Sequence, residues 1–272
     1  MSATETAPTD VDTATPALEA KDVTVRFGGL VALSEVSVTV PPATIVGLVG
    51  PNGAGKTTLF NLISGFLPVS DGEIRFEGKL LTGLPSYKIS RLGVGRTFQD
   101  PRLFYEMNAL EHVLSGFNIR AQQPWHAIWR DRATRREHEA AVARSRVLLE
   151  AVGLAQRAND KAQDLSFGDQ RFLSIARTLA GDPKLILLDE PTVGLDLNGI
   201  RKLSSMIKDM VREQRRTVLL VEHNLDVVFS LCDQIYLMVG GGVVLSGSPT
   251  EIKRHPKMIE AYLGTRHAAS AA

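Results

Sequence analysis

The sequence has little cysteine, almost no net charge and no long apolar run. Its 272 residues include one cysteine, Cys232, so no disulfide can form within the chain, and a reducing compartment is expected. The net charge of +1 gives no global field that would attract nucleic acid or anionic lipid. Apolar stretches such as LILLDEP end at charges, well short of the ~18–20 residues of a membrane-spanning helix. These absences predict a soluble, cytosolic chain.

Neither end of the sequence has the composition of a folded segment. Residues 1–17 are rich in Thr, Ala, Pro and acidic residues and lack the basic and apolar regions of a signal peptide, so they are predicted to be a disordered tail. The alanine-rich residues 265–272 are expected to be a loose C-terminal tail. A hydrophobic content of 44% is sufficient for a core within residues 18–264.

Between the tails, strand patterns alternate with helical ones. VTVRF (23–27) and VSVTV (36–40) have the alternation of half-buried antiparallel strands, whereas TIVGLV (44–49) is uniformly apolar, as a central parallel strand is. Helical spacing of apolar residues covers 172–179 and 200–211, on either side of the buried-strand pattern LILLDEP. Strand–helix–strand alternation predicts an α/β core with a parallel sheet.

Four further elements follow from local patterns. EIRFEG (73–78) is predicted to be a strand, and residues 108–151 are predicted to be mostly helical with a break near Pro124. QIYLMVGGGVVLSG (234–247) is typical of a hairpin around its glycines. SPTEI opens a C-terminal helix, for which Thr250 is the candidate N-cap.

The segment GPNGAGKTT (50–58) lies between a predicted strand and a predicted helix and matches the phosphate-loop pattern G-x-x-x-x-G-K-[ST]. Glycines allow the backbone to curl so that its N–H groups point at a phosphate. Lys56 is predicted to reach the β- and γ-phosphates, Thr57 to bind Mg²⁺, and Thr58 with the helix start to hold the α- and β-phosphates. The nucleotide-binding residues predicted here are Gly50, Pro51, Asn52, Gly53, Ala54, Gly55, Lys56, Thr57 and Thr58.

Two carboxylates end the apolar strand pattern LILLDEP (185–191). Ligands bind at the carboxyl ends of the strands in such sheets, so both carboxylates are expected at the edge that carries the phosphate loop. Asp189 is predicted to hold Mg²⁺ through water, and Glu190 to polarise the attacking water as general base. Taken alone, the pair is typical of a solvated acidic turn, and its combination with the phosphate loop favours a site.

Three more candidates follow predicted strands. His223, at the end of TVLLVEH, can hydrogen-bond the γ-phosphate or orient the water, although a lone histidine at a strand end is more often structural. Gln99, in GRTFQD, either bridges Mg²⁺ and water or is an ordinary loop amide. Phe27 either stacks on a purine or lies in the core, and its position alone favours the core.

In order and spacing, these motifs resemble those of the ATP-binding cassette of ABC transporters over residues 18–264. GPNGAGKTT is similar to Walker A, TFQ to the Q-loop, LSFGDQ to the signature, LILLDEP to Walker B, GLD to the D-loop and VEH to the switch-histidine segment. The resemblance implies an α/β P-loop NTPase fold with a RecA-like parallel-sheet core, an antiparallel β subdomain and a helical signature subdomain at about residues 100–182. It implies ATP and Mg²⁺ as cofactors. It also implies catalytic roles for Gln99, Glu190 and His223 and a Mg²⁺ site at Thr57, Gln99 and Asp189.

The resemblance also gives a role to a second anion-binding helix start, LSFGDQR (165–171). In this family two cassettes face each other head to tail, and each ATP lies between the Walker A segment of one chain and the signature of the other. The resemblance therefore implies that Ser166 and the backbone of Gly168 contact the γ-phosphate bound to the partner. It gives Phe27, which precedes GGLVAL, a role in stacking on adenine.

Several segments are similar to cassettes for branched-chain amino acid uptake. They are FGGLVALSEVSV, GSPTEIKRHPKMIEAYLG, the long insert between Gln99 and the signature, and the aromatic Phe167 inside the signature. The resemblance implies the ATPase subunit of an importer at the cytoplasmic face of the inner membrane. Its partners would be a second cassette (a copy or a homologous chain), two membrane permeases and, indirectly, an extracytoplasmic solute-binding protein, with no nucleic acid. Import of urea, amides or other small organic solutes, and a non-transport ATPase, are the alternatives.

Three residues depart from the family pattern. Asp169 stands where the signature usually has Gln, and an acid 4 Å from a phosphate charge repels it by roughly 1–4 kcal/mol, depending on the dielectric. An acid in a first helical turn is favourable, so we expect its carboxylate to turn back onto the helix start. Asn224 follows the switch histidine where Asp is common and remains a good N-cap. Leu197 occupies a common proline position, which leaves the D-loop geometry open.

Other features have simpler interpretations. The basic run RDRATRREHEAAVARSR (130–146) is best explained as a solvated helix face, and contact with lipid headgroups or a membrane partner is the alternative. Trp125 and Trp129, four residues apart beside this run, are expected to pack within the protein. Cys232 is expected to be buried and unreactive.

Overall fold

The computed structural model describes residues 15–117 and 132–269. Within them, the strands form two sheets, one of four strands and one of six. The strands, in chain order, are β1 (Leu18–Phe27), β2 (Leu30–Val40), β3 (Ile45–Val49), β4 (Asp71–Phe76), β5 (Lys79–Leu80), β6 (Val94–Arg96), β7 (Leu185–Asp189), β8 (Thr217–Val221), β9 (Gln234–Val239) and β10 (Gly242–Gly247).

Helices connect the strands and cover the larger sheet. In chain order they are α1 (Lys56–Ile63), α2 (Ser86–Leu92), α3 (Ala109–Leu114), α4 (Arg132–Ala151), α5 (Phe167–Ala180), α6 (Leu197–Arg212), α7 (Leu225–Leu231), α8 (Pro249–Arg254) and α9 (Pro256–Ala269). Helices α3, α4 and α5 pack on one another, where the sequence places the helical signature subdomain. None of the helices in the described ranges combines the length and the apolar character that crossing a membrane requires.

The smaller sheet is antiparallel, in the order β2-β1-β4-β5. Strand β1 pairs with β2 and with β4, and the registers place Leu18 opposite both Val40 and Phe76. The alternation along VSVTV is confirmed, because Val36, Val38 and Val40 are buried while the residues between them are exposed. One face of this sheet therefore packs against the rest of the protein.

The larger sheet has the order β10-β9-β3-β8-β7-β6, and only β10 is antiparallel to its neighbour. Its central strands are buried on both faces. In β7, Leu185 and Leu187 belong to one core cluster, whereas Ile186 and Leu188 belong to the other. This explains why LILL (185–188) and IVGLV (45–49) are apolar at successive positions rather than alternating. The first cluster lies between the two sheets around α1, and the second lies under the helices of the opposite face.

The topology brings three loops to one sheet edge. The parallel strands β3, β7 and β8 are neighbours, in the order β3-β8-β7, and all end at the same side. The segments that follow them carry the phosphate loop, Glu190 and His223, respectively. The α/β fold with a parallel core and an antiparallel sheet is therefore as predicted.

Two predictions at the C-terminus are wrong. The N-cap of α8 is Ser248 rather than Thr250, because Ser248 and Glu251 form a reciprocal capping box and Pro249 occupies the first helical turn. Helix α9 continues through Ala269, so residues 265–269 are helical rather than loose. Alanine is the strongest helix former, and Ala268 and Ala269 extend a helix that is already started.

Some expectations fall outside the described residues. They concern most of the tail at 1–17, Pro124, Trp125, Trp129 and the first part of the basic run at 130–146. Within the part of that run that the structure describes, residues 135–140 are exposed, as expected for a solvated helix face.

Candidate active site

The phosphate loop connects β3 to α1 and depends on its glycines for its shape. Gly50 has φ 148°, and a Cβ atom there would lie 2.1 Å from the carbonyl oxygen of Met238 in β9. Gly55 has φ 98°, and its Cβ atom would lie 2.4 Å from the Leu33 side chain. At Gly50, conformation and space both exclude a larger residue. At Gly55, the left-handed backbone strains any residue with a side chain, and the close contact is with the end of the Leu33 side chain. No side chain caps α1, so the backbone N–H groups of its first turn form an anion-binding helix start.

Lys56 folds back over the phosphate loop. Its Nζ donates hydrogen bonds to the carbonyl oxygens of Gly50, at 2.7 Å, and of Pro51, at 2.9 Å. Burial lowers the pKa of Lys56, and the charges of Glu190 and Asp189 act in the opposite direction. The ammonium group therefore lies at the centre of the loop, within electrostatic range of both carboxylates.

The C-terminal helix α9 also reaches this loop. The backbone N–H of Gly50 donates to the hydroxyl of Tyr262, at 3.0 Å. The contact spans 212 residues of sequence and fixes the first residue of the loop. The sequence offers no local signal for it.

Asp189 ends β7 and is 3% exposed. Its Oδ2 accepts a hydrogen bond from Arg96, at 3.2 Å, in an ion pair whose side chains are 6% and 4% exposed. Burial raises the pKa of Asp189, and the charge of Arg96 opposes this shift. The carboxylate is thus held in place by a buried partner that sequence reasoning missed.

Arg96 is the last residue of β6 and links several elements. One of its terminal nitrogens donates to Asn61, at 2.7 Å, and to Ser64, at 2.8 Å. Asn61 lies in α1, and Ser64 is the C-cap of that helix. The guanidinium group also lies over the Phe98 ring, 4.9 Å from its centroid. A basic residue in an otherwise apolar strand pattern, GVGRTF, is the signal that could have identified it.

Glu190 lies between two of the predicted catalytic residues. Gln99 Nε2 donates to Glu190 Oε2 at 2.8 Å, and His223 Nε2 lies 2.8 Å from Glu190 Oε1. The backbone of Glu190 has φ 47°, a conformation that costs a residue with a side chain about 1–3 kcal/mol and that clusters at active sites. The structure therefore brings Gln99, Glu190 and His223 together, with the carboxylate held from both sides.

Glu222, which sequence reasoning missed, connects the switch histidine to the segment after Walker B. It is 1% exposed, and its Oε1 accepts from the backbone N–H of Thr192, at 2.8 Å. Its Oε2 accepts from the N–H groups of His223, at 3.0 Å, and Asn224, at 3.2 Å. A buried carboxylate between two strand ends fixes the His223 backbone relative to Glu190.

The signature LSFGDQR begins helix α5. Ser166 is its N-cap and accepts from the Asp169 N–H, at 3.1 Å, and the Ser166 hydroxyl donates to the Asp169 carboxylate, at 2.8 Å. Arg157 lies 3.1 Å from the same carboxylate. The expectation that Asp169 turns back onto the helix start is confirmed, and Arg157 is a partner that the sequence did not indicate. In the described residues, no hydrogen bond or ion pair joins this segment to the phosphate loop of the same chain.

Four other sequence expectations can be placed. Phe27 ends β1 with 49% of its surface exposed, so the interpretation as a core residue is wrong. Asn224 caps α7, as expected. Leu197 is 73% exposed at the start of α6, where Asp196 is the N-cap. Cys232 is 7% exposed, and burial raises the pKa of its thiol to about 12, which agrees with an unreactive cysteine.

Comparison with known proteins decides the family. The family model described as "ABC transporter" matches residues 33–193, more than half of the chain. The chain belongs to the ABC transporter family. Its predicted identity as an ATP-binding cassette is thereby confirmed, and nucleotide binding follows from membership.

The relatives of this cassette are similar over nearly their full length. It is 39% identical to the high-affinity branched-chain amino acid transport ATP-binding protein LivG of Salmonella typhimurium, over 92% of this chain and 98% of that one. It is 40% identical to the corresponding protein BraF of Pseudomonas aeruginosa, over the same shares of each chain.

Solved cassettes have the same fold. A nucleotide-free ATP-binding cassette of an ABC transporter matches with a TM-score of 0.80 at 31% identity, covering 91% of this chain and 98% of that one. A cassette in its ADP conformation matches with a TM-score of 0.81 at 30% identity, over 92% and 100%. A dimeric bacterial cassette matches with a TM-score of 0.72 at 26% identity, over 85% and 98%.

The side chains of this cassette suit a magnesium–nucleotide complex better than a metal held by protein alone. Within the described ranges, no group of three or more His, Cys, Asp or Glu side chains could hold a metal ion. Asp189 supplies a carboxylate within electrostatic range of Lys56, Gln99 supplies an amide oxygen beside Glu190, and Thr57 supplies a hydroxyl at the start of α1. Mg²⁺ in nucleotide sites takes one or two protein oxygens and completes its shell with phosphates and water.

Proposed function

We propose that this chain is the ATP-hydrolysing subunit of an importer for branched-chain amino acids. The observation that carries the proposal is the Glu190 carboxylate, held between Gln99 and His223 beside the Lys56 loop. The solute class is supported by the similarity to the LivG and BraF proteins along almost the whole chain.

Glu190 is the general base of the proposed reaction. Its two oxygens each receive one hydrogen bond and retain capacity to accept another, so a water can bind between the carboxylate and the γ-phosphate. The carboxylate takes a proton as the water oxygen attacks phosphorus, and the bond to the leaving ADP oxygen breaks. Such positioned proton transfer contributes about 10²–10⁴-fold to the rate.

Gln99 and His223 orient this base. With its proton on Nε2, the imidazole of His223 donates to Glu190 Oε1, while the Gln99 amide donates to Oε2. Two donors on opposite oxygens fix the plane of the carboxylate. Correct orientation of a reacting group accounts for a large part of the rate enhancement in such sites.

The nucleotide would be held mainly by the phosphate loop. The backbone of residues 50–55 and the Lys56 ammonium group face the phosphates, Thr58 lies in the first turn of α1, and exposed Phe27 stacks on the adenine. Mg²⁺, bound at Thr57, Gln99 and Asp189, would neutralise charge on the β- and γ-phosphates.

The second half of each site would come from another cassette, either a copy or a homologous chain. Ser166 and Gly168 lie at the start of α5, and no hydrogen bond or ion pair among the described residues joins them to the phosphate loop of their own chain. They would contact the γ-phosphate held by the partner. ATP then favours the closed pair by its greater affinity for that state, and hydrolysis removes the bridging group.

The transporter would be completed by two membrane permeases and an extracytoplasmic solute-binding protein. In this arrangement the chain lies at the cytoplasmic face of the inner membrane, and closing of the cassette pair drives the permeases. No nucleic acid takes part, in agreement with a net charge of +1.

The proposal is tested by deletion of the gene and measurement of radiolabelled solute uptake. Wild-type protein should restore uptake of leucine, isoleucine and valine, whereas Glu190→Gln should not. Purified Glu190→Gln should bind ATP normally and lose turnover by about 100-fold or more, and Lys56→Ala should lose nucleotide affinity.

Two results would contradict different parts of the proposal. If deletion abolished uptake of urea or short amides and spared branched-chain amino acids, the assigned solute would be wrong. If Glu190→Gln kept wild-type turnover, Glu190 would not be the base.

A further inference from the structure

A buried arginine in the signature helix has no part in the mechanism described so far. Arg171, on α5, is 1% exposed, and none of the ion pairs within the described residues includes it. Its Nε is buried and has no hydrogen-bond partner in the same ranges. Burying a guanidinium group without a carboxylate partner is costly, so its remaining contacts indicate what it does.

Those contacts lie on the Q-loop backbone. One terminal nitrogen of Arg171 donates to the carbonyl oxygens of Phe98, at 3.1 Å, and Gln99, at 2.6 Å. The Gln99 side chain in turn donates to Glu190, at 2.8 Å. Two consecutive hydrogen bonds therefore join the signature helix to the general base through one residue.

The same guanidinium group contacts the exposed start of the helix. Its central carbon lies 5.5 Å from the centroid of the Phe167 ring. That ring packs against Gly194 of the D-loop, where an added Cβ would come within 2.4 Å of it. Ser166 and Gly168, which flank Phe167, are the residues proposed to contact the nucleotide of the partner. The start of the helix is therefore in contact with Arg171 through the Phe167 ring.

We propose that Arg171 is a positioning residue that couples the two nucleotide sites of the cassette pair. In that pair, the signature of each chain serves the site of the other chain, whereas Gln99 and Glu190 serve the chain's own site. Arg171 links the signature to the Q-loop, so ATP at one site places the general base at the other. The inference rests on the proposed function and names a route for communication within it.

The chain contains a matched control on the same helix. Arg177 also donates to two backbone carbonyl oxygens of the loop after β6, those of Arg102, at 2.9 Å, and Pro101, at 3.0 Å. It makes the same kind of contact, but none of its hydrogen bonds within the described residues reaches Gln99. Arg177→Met therefore measures how much ATPase activity is lost when hydrogen bonds between α5 and this loop are removed but the contact with Gln99 is kept.

The experiment is a double-mutant cycle on the full-length chain with MgATP as the probe. Arg171→Met is expected to lower kcat by about tenfold or more, to bring the Hill coefficient for ATP towards 1, and to leave ATP affinity in the Glu190→Gln background within about threefold. Gln99→Ala should have a similar effect on kcat. The double variant should be no slower than the slower single variant, because both changes break one route. Arg177→Met should keep the Hill coefficient of the wild type.

Three outcomes would overturn the inference: rate losses of Arg171→Met and Gln99→Ala that multiply, unchanged cooperativity in Arg171→Met, or the same loss of cooperativity in Arg177→Met. If Arg171→Met does not fold, Arg171→Lys, which keeps the charge and loses the planar donor geometry, is measured in the same cycle and decided by the same criteria. Failure of the wild-type chain to hydrolyse ATP, both alone and when paired with its homologous partner cassette, would refute the proposed function instead, so the two failures are distinguishable.

Discussion

The buried ion pair between Arg96 and Asp189 provides a quantitative test of the site's architecture. Replacing Arg96 with methionine keeps much of the side-chain volume and removes the partner of a carboxylate that is 4% exposed. The change also removes the hydrogen bonds to Asn61 and Ser64. Asp189 would then be a buried charge without the ion pair that it makes at 3.2 Å.

The expected cost is large. Breaking a buried ion pair by removal of one member typically costs about 3–5 kcal/mol, because the remaining charge keeps its desolvation penalty. For a chain of this size, that corresponds to a fall in Tm of roughly 6–20 °C. Removing the remaining charge as well should reverse part of the loss, so Arg96→Met/Asp189→Asn is expected to be more stable than Arg96→Met alone.

Urea unfolding without nucleotide or metal, monitored by circular dichroism, measures these differences in stability. They are obtained from the unfolding midpoints, provided that the dependence of the unfolding free energy on urea concentration is the same for each variant. The control is Arg75→Met, which breaks an arginine–glutamate pair on the exposed surface of β4 and should leave the midpoint almost unchanged. An Arg96→Met midpoint equal to that of Arg75→Met, or a double variant less stable than Arg96→Met, would refute the reasoning.

Three further predictions follow from single contacts. Asp169→Gln should change kcat by less than about tenfold, since the carboxylate is bound to Ser166 and Arg157; a far larger gain in steady-state ATPase rate would show that the acid opposes ATP. At pH 8, Cys232 should react with a thiol reagent about 1,000-fold more slowly in the native chain than in urea, because burial raises its pKa from 9.0 to about 12; equal rates would contradict its burial. Gly50→Ala should abolish ATP binding in a fluorescent-nucleotide assay, because its Cβ would lie 2.1 Å from a carbonyl oxygen, and normal affinity would contradict the loop geometry.

The sequence predicted the elements and motifs that depend on local pattern. The apolar strand patterns at 45–49 and 185–188 lie in the centre of the parallel sheet, and the phosphate loop lies between β3 and α1. Gln99, Glu190 and His223 follow neighbouring strands, and the parallel topology brings them together. The positions of these strands and of the phosphate loop could be predicted because hydrophobic period and glycine positions determine them, whereas the catalytic roles of Gln99, Glu190 and His223 stay predictions.

The sequence did not predict the buried polar partners. Arg96, Glu222 and Arg171 each connect elements that are far apart in the chain, at separations of 93, 30 and 72 residues for the contacts with Asp189, Thr192 and Gln99. No periodic pattern encodes such a pairing, which depends on the distance between two folded elements. The two errors at the C-terminus have local causes. The N-cap is Ser248 because it forms a capping box with Glu251. Residues 265–269 are helical because alanine has a high helix propensity.

The central claim is that each nucleotide site is built from two chains, and complementation between two inactive variants tests it most directly. Lys56→Ala removes the phosphate-loop lysine and keeps the signature. Gly168→Asp places an acid in the first turn of α5, where a carboxylate is compatible with the helix but repels the γ-phosphate bound by the partner. Each variant alone should be inactive. A mixture should recover part of the ATPase activity, because a mixed pair contains one complete site but lacks the ATP at the second site that positions the general base. If the mixture of folded variants stays inactive, or if Gly168→Asp alone hydrolyses ATP at the wild-type rate, the account of a shared site is contradicted.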